Sequence, residues 1–159
     1  MIFTLAGAAM IGTAALFIGR EKSEKEVKRL RILEGLLSFI SYTEEEIKNF
    51  KTPLSQIFEG FSNDVLLECG FILTLRSSGA LEAVRYVLPY LSESAARELQ
   101  SFARGLGGGY TEGQSALCEV TLARLSREAE EIRENLSERV RMYRLIPMLI
   151  AASVIILLM

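Results

Sequence analysis

No histidine occurs among the 159 residues, which removes imidazole as general base, as metal ligand and as a charge switch near neutral pH. Tryptophan is absent too, prolines number three and aromatics make up 8% of the chain; that poverty argues against a β-sandwich and for a helical domain. Cysteine is scarce: Cys69 and Cys118 have no metal-ligand spacing and read as small buried apolar residues rather than as a disulfide or a reactive thiol. Neither sign of charge dominates, with 18 basic against 20 acidic residues, so nothing points to nucleic acid. The triple glycine Gly107-Gly108-Gly109 lacks a preceding strand and a following Gly-Lys-Ser/Thr. It reads as the turn after a helix rather than as a phosphate loop. Carboxylates are plentiful, above all Glu44-Glu45-Glu46, but on a helix these fan around the axis and suit a solvated face. No nucleophile, base and orienting residue can be assembled. An enzyme, a cofactor and a small-molecule substrate are therefore not expected.

Half of the residues are nonetheless hydrophobic and a quarter charged, so the apolar content must be segregated. Residues 1–19 carry no charge and would span about 28 Å as a helix, close to a bilayer's hydrocarbon thickness. A secretory signal peptide would need basic residues ahead of this run, whereas Arg20, Lys22, Lys25, Lys28, Arg29 and Arg31 follow it. Residues 145–159 are again uncharged; at about 22 Å they are short for a span. Including Met142, Tyr143 and a snorkelling Arg144 gives about 27 Å. Arg139, Arg141 and Arg144 flank this segment. Both basic clusters place residues 20–144 in the cytoplasm, between transmembrane helices at residues 1–19 and 145–159. Small residues four apart, Ala8/Gly12 and Ala15/Gly19, permit a second membrane helix to approach closely.

The most regular stretch is residues 111–159. Thr111-Glu112-Gly113-Gln114 spells a capping box. Cys118, Leu122, Leu125, Ala129, Ile132, Leu136 and Val140 then follow the 4–3 spacing of a seam between lengthwise-packed helices. Mixed-sign neighbours such as Arg124/Glu128 and Arg127/Glu131 suit the watery side. The first helix is expected to continue through Phe50 on the stripe Val27, Leu30, Leu33, Leu37, Ile40, Ile47 and Phe50. It should meet the terminal seam antiparallel, with Leu30, Leu33, Leu37 and Ile40 facing Leu125, Ile132 and Leu136. Thr52 as cap and Pro53 at the first position start a short helix. Ser62-Asn63-Asp64 caps an apolar central helix over 65–76, Ser77-Ser78-Gly79 breaks it, another runs over 80–88, and Ser92 caps one over 93–106. The expected architecture is all-α: about six helices forming a cytoplasmic bundle on a two-helix stalk, with a transmembrane helix at each terminus.

In this order and spacing the chain resembles the stage III sporulation protein AB family of endospore-forming bacteria. The resemblance rests on the uncharged first segment, the Thr52-Pro53-Leu54 helix start and the Phe102-Ala103-Arg104-Gly105-Leu106-Gly107 stretch followed by Gln114. The Glu/Arg-rich terminal helix ending in Ile155-Ile156-Leu157-Leu158-Met159 completes it. The resemblance implies a bundle similar to the cytoplasmic domain of the inner-membrane platform protein of type II secretion and type IV pilus systems. It also implies residence in the outer forespore membrane facing the mother cell. The ATPase partner would be stage III sporulation protein AA, beside other membrane subunits of the same complex.

Two functions follow: a non-catalytic platform subunit linking that ATPase to the membrane assembly, or a free-standing membrane regulator whose bundle binds a soluble signalling protein. Arg20, Lys22, Arg141 and Arg144 would lie against the lipid. At the far end of the first helix Glu44, Glu45, Glu46, Glu59, Asp64 and Glu68 outnumber Lys48 and Lys51. Glu44, Glu45 and Glu46 are the candidate dock for a basic partner face, the plain alternative being an acidic surface that keeps the protein in solution.

Overall fold

The computed structural model describes residues 2–108 and 111–158; of residues 2–19, Thr111 and a scatter of positions from 139 onward it describes the backbone alone. Seven α-helices make up most of it, and no strand occurs among the described residues. They are α1 (Ile2–Glu45), α2 (Leu54–Gly60), α3 (Asp64–Glu68), α4 (Phe71–Ser78), α5 (Ala80–Val84), α6 (Glu93–Gly105) and α7 (Thr111–Leu158). One π-helical turn, Glu46–Phe50, follows α1, and one 3-10 turn, Leu88–Tyr90, follows α5. The chain divides into two compact units: Met1–Lys28 with Ile132–Met159, and Arg29–Glu131.

In the first unit the outer parts of α1 and α7 are helical throughout. Ser23 and Ile132 are buried, and Arg20–Glu24 and Lys25–Glu21 pair along one helix, each at 2.8 Å. Among the described residues no helix is long and apolar enough to cross a membrane. The spans expected at residues 1–19 and 145–159 fall largely on side chains outside those described.

The second unit holds the core. Along α1, Leu30, Ile32, Leu33, Leu36, Phe39 and Ile40 are buried, a wide apolar face of the kind that needs neighbours on two sides. Leu37 is only half-buried: the buried face is centred one residue earlier, on Leu36. Phe39 is the hub. Its ring meets Phe61 at 5.2 Å and Phe71 at 5.5 Å, both edge-on, and Phe58 at 6.2 Å, the offset geometry that aromatic quadrupoles favour. These contacts seat α2 and α4 on α1. Leu66 of α3 fits against Gly35, where an added Cβ would lie 3.0 Å from the Leu66 side chain.

The antiparallel relation of α1 and α7 is fixed here by ion pairs near both ends: Arg29–Glu128 at 3.0 Å and Lys48–Glu119 at 3.4 Å. On α7, Gln114, Cys118, Thr121, Leu125 and Ala129 are buried, while Leu122 is half-buried. The capping box expected at Thr111 lies outside the described side chains.

Several boundaries differ from the sequence reading. The single helix expected over 65–76 is two, because Gly70 turns left-handed at φ +85° and ends α3; an added Cβ there would also meet the Tyr86 ring at 3.2 Å. Nor is that stretch apolar all round to a purpose: Leu67 and Leu73 stand exposed. The helix expected over 80–88 stops at Val84 and tightens into the Leu88–Tyr90 turn, since Pro89 has no amide to continue it. Thr52 does not cap α2. Pro53 occupies that position in extended conformation, and Arg76 instead donates to the carbonyls of Phe58 and Phe61 at the helix's other end. Asn63 and Ser92 do cap: the first accepts from the Leu66 amide, the second from that of Ala95, both at 3.1 Å.

Leu125 is 1% exposed, whereas its neighbour Ser126 faces solvent. Leu125→Asp buries a charge at a cost of several kcal/mol, so the protein should melt more than about 10 °C lower. Ser126→Asp should shift the same melt by little; equal shifts would mean the buried face of α7 is misplaced.

Candidate partner-binding surface

The end of α1 is built by a local contest over backbone carbonyls. The Thr43 hydroxyl donates to the Phe39 carbonyl at 2.8 Å, and the helix then widens into the π-turn. Lys51 closes the turn with φ 53°, a left-handed conformation costing a non-glycine residue about 1–2 kcal/mol. Glu46 offsets that cost. Its carbonyl accepts from the amides of Lys51 and Thr52, and its carboxylate accepts from the Thr52 hydroxyl at 2.6 Å. Phe50, expected on the buried stripe, is swung outward and is 67% exposed.

The three glutamates are therefore not equivalent. Glu44 is mostly covered and lies 3.8 Å from Lys48; Glu46 belongs to the turn. Glu45 is exposed and alone of the three has no partner among the described residues. The reading of all three as one solvated face is corrected: two are part of the fold. Glu45→Lys should leave melting unchanged. Thr52→Val should lower stability by about 1.5–3 kcal/mol, the worth of one hydrogen bond to a charged acceptor, and a silent Thr52→Val would mean that the turn is held by its backbone alone.

Leu30, Leu33 and Leu125 are buried in the second unit and Leu37 half-buried; in the first unit Ile132 is buried and Leu136 half-buried. Arg20, Lys22 and Arg141 are exposed, and the side chain of Arg144 lies outside those described. The amino-terminal basic cluster is thinner than its count, because Arg20 and Lys25 each pair with a glutamate and Arg29 is spent on Glu128.

Glu128 is the principal surprise. Expected on the watery side of α7, its side chain is only 16% exposed. One oxygen takes Arg29 of α1 and the other accepts from Ser92 at 2.6 Å and Ser94 at 3.4 Å, at the start of α6. Arg124 likewise reaches Glu98 of α6 at 2.5 Å. The cap role of Ser92 is visible in sequence; its bond to a residue 36 positions away is not.

Cys118 is fully buried and close to Glu44, and burial first, then that carboxylate, pushes its thiol up to about 11. At pH 8 only about one thiol in a thousand would be ionised. Iodoacetamide should therefore modify the half-buried Cys69 before Cys118, which should react only on unfolding. Because the folded value lies above the ordinary 9.0, this thiol's stabilising effect is complete below pH 9 and is lost as pH rises through 11. Cys118→Ala should flatten that part of the stability profile. Labelling of Cys118 in the native protein as fast as Cys69 would contradict the burial.

Among the described residues no group of three or more cysteine and carboxylate side chains is placed to hold a metal. What the geometry defines is an all-helical protein whose half-buried charges tie helices together, with Glu45 and, five residues later, Phe50 exposed at the end of α1. A family model described as stage III sporulation protein AB matches residues 4–75 and 80–159. The chain belongs to that family, and its role is in sporulation. No curated protein and no solved structure matches it.

Proposed function

We propose that the protein is a non-catalytic platform subunit of a secretion-like sporulation complex, joining a cytoplasmic ATPase to a membrane assembly. Membership of the sporulation family carries this reading. It is supported by the chain's form: the two longest helices are the terminal ones, and the sequence at each outer end is uncharged. Residues 1–19 and 145–159 serve as anchors in the outer forespore membrane. Residues 20–144 face the mother-cell cytoplasm, and the ATPase is stage III sporulation protein AA. Docking falls on the end of α1, where Glu45 supplies charge and Phe50 an apolar anchor; complementary charge there mainly speeds and orients association.

Purification from sporulating cells in mild detergent should recover an ATPase together with several membrane proteins. Recovery of a single soluble partner instead would favour a free-standing regulator. Glu45→Lys should reduce ATPase recovery without altering the melt, and raising salt should do the same, since exposed charges are screened beyond about 8 Å at physiological ionic strength. Undiminished recovery with Glu45→Lys would remove this surface from the proposal. Cysteines introduced over residues 40–110 should be shielded from an impermeant reagent in intact cells; labelling from outside would reverse the topology.

A further inference from the structure

From Leu33 onward the buried side of α1 keeps a strict alternation of three and four: Leu33, Leu36, Ile40, Thr43 and Ile47 are all buried. Phe50 is the next member of that repeat, yet it stands in solvent. The cause is the π-turn Glu46–Phe50. A π-turn closes its hydrogen-bonded ring one residue later than an α-turn, so side chains in and beyond it fall back by up to one residue, about 100° around the axis. Just past the Lys48–Glu119 pair, α7 still has a covered side, with Leu117 half-buried and Gln114 buried. An α-helical Phe50 would turn toward it.

Side chains act on the π-turn in both directions. The Thr52 hydroxyl donates to the Glu46 carboxylate at 2.6 Å and favours it. Against it stand Lys51, left-handed at φ 53°, and the Phe50 ring left in water. An α-helical turn would relieve both, with the Glu46 carbonyl accepting from the Phe50 amide in place of those of Lys51 and Thr52. The backbone loses little by that exchange, so the side chains decide. Pro53 disfavours a helical Thr52 in either case, and α2 beyond it is seated on Phe39; the change is thereby confined to residues 46–51. We infer that the end of α1 is a latch with two registers: the Glu46–Thr52 bond holds the π form, which presents Phe50 to solvent, and its release gives an α form in which Phe50 rejoins the buried stripe. The latch does not depend on the platform reading and is tested without a partner, so the two stand or fall separately.

The chain has no tryptophan, so Phe50→Trp in the full chain in detergent gives a single indole whose quenching by acrylamide reads its exposure. In that background the indole should be open to the quencher. Adding Thr52→Val keeps the side chain's shape and removes the hydroxyl. The balance of registers should then move toward the α form by about tenfold or more, the worth of a hydrogen bond to a carboxylate, and quenching should fall. Lys51→Val should act in the same direction, because a β-branched residue tolerates a positive φ worst. Lys51→Gly should oppose it and, combined with Thr52→Val, restore quenching. Fluorophenylalanine at position 50, which keeps the native size, should show the same order in the solvent isotope shift of its fluorine resonance. Three results would overturn the inference. Quenching that ignores Thr52→Val and Lys51→Val would mean one register; quenching that rises as helix content is lost would mean fraying. A fall that Lys51→Gly does not reverse would mean contact with detergent.

Discussion

Glu128 is the point at which three helices are held to one another. Its carboxylate is mostly withdrawn from water and accepts from Arg29 on α1 and from Ser92 and Ser94 at the start of α6. A carboxylate in that position is costly to desolvate, and the cost is offset only because both oxygens are occupied. Ser92 has two tasks in consequence: its oxygen caps α6 by accepting from Ala95, and its proton goes to Glu128. The start of α6, the middle of α7 and the register of α1 are thereby fixed by one group. A one-residue turn of α7 would also take Leu125 and Ala129 out of the core, so the ion pairs and the apolar face specify the same register.

Around that node the packing is aromatic and close. Phe39 gathers Phe58, Phe61 and Phe71 from the short helices, and Gly35 lets Leu66 approach the α1 backbone. The short helices α2 to α5 are too brief to be stable on their own. They persist because each buries side chains such as Ile57, Leu66, Leu75 and Val84 in a shared core, and because Asn63 and Arg76 satisfy part-buried backbone groups at helix ends.

The sequence foretold the long elements better than the short ones, for a physical reason. The α7 seam repeats over several turns, so its period is unambiguous, and Ser92 and Asn63 announce their helices by local chemistry. The break at Gly70 was also written locally, but its apolar neighbours on both sides concealed it. The π-turn after Glu45 was not legible: Glu46 bonds Thr52, six residues on, a separation that suits neither a helix nor a standard turn. Glu128 was misjudged for a related reason. By helical periodicity it belongs beside the seam, and only the partners Arg29 and Ser92, distant in sequence, make that position favourable for a charge. The same applies to the candidate surface, where three consecutive glutamates look equivalent until their neighbours separate them and leave Glu45 free.

Within the second unit the Arg29–Glu128 pair joins α1 to α7 beside the start of α6. A double-mutant cycle measures it most directly, using Arg29→Met, Glu128→Gln and the combined variant with denaturant unfolding of the full chain in detergent. Each single change should be strongly destabilising, because it strands the other charge away from water. The double change should cost less than the sum of the two, with a coupling energy of about 1–3 kcal/mol, the range for residues in one network. Strictly additive effects would show that the two charges do not depend on each other, and the central node of this account would be gone.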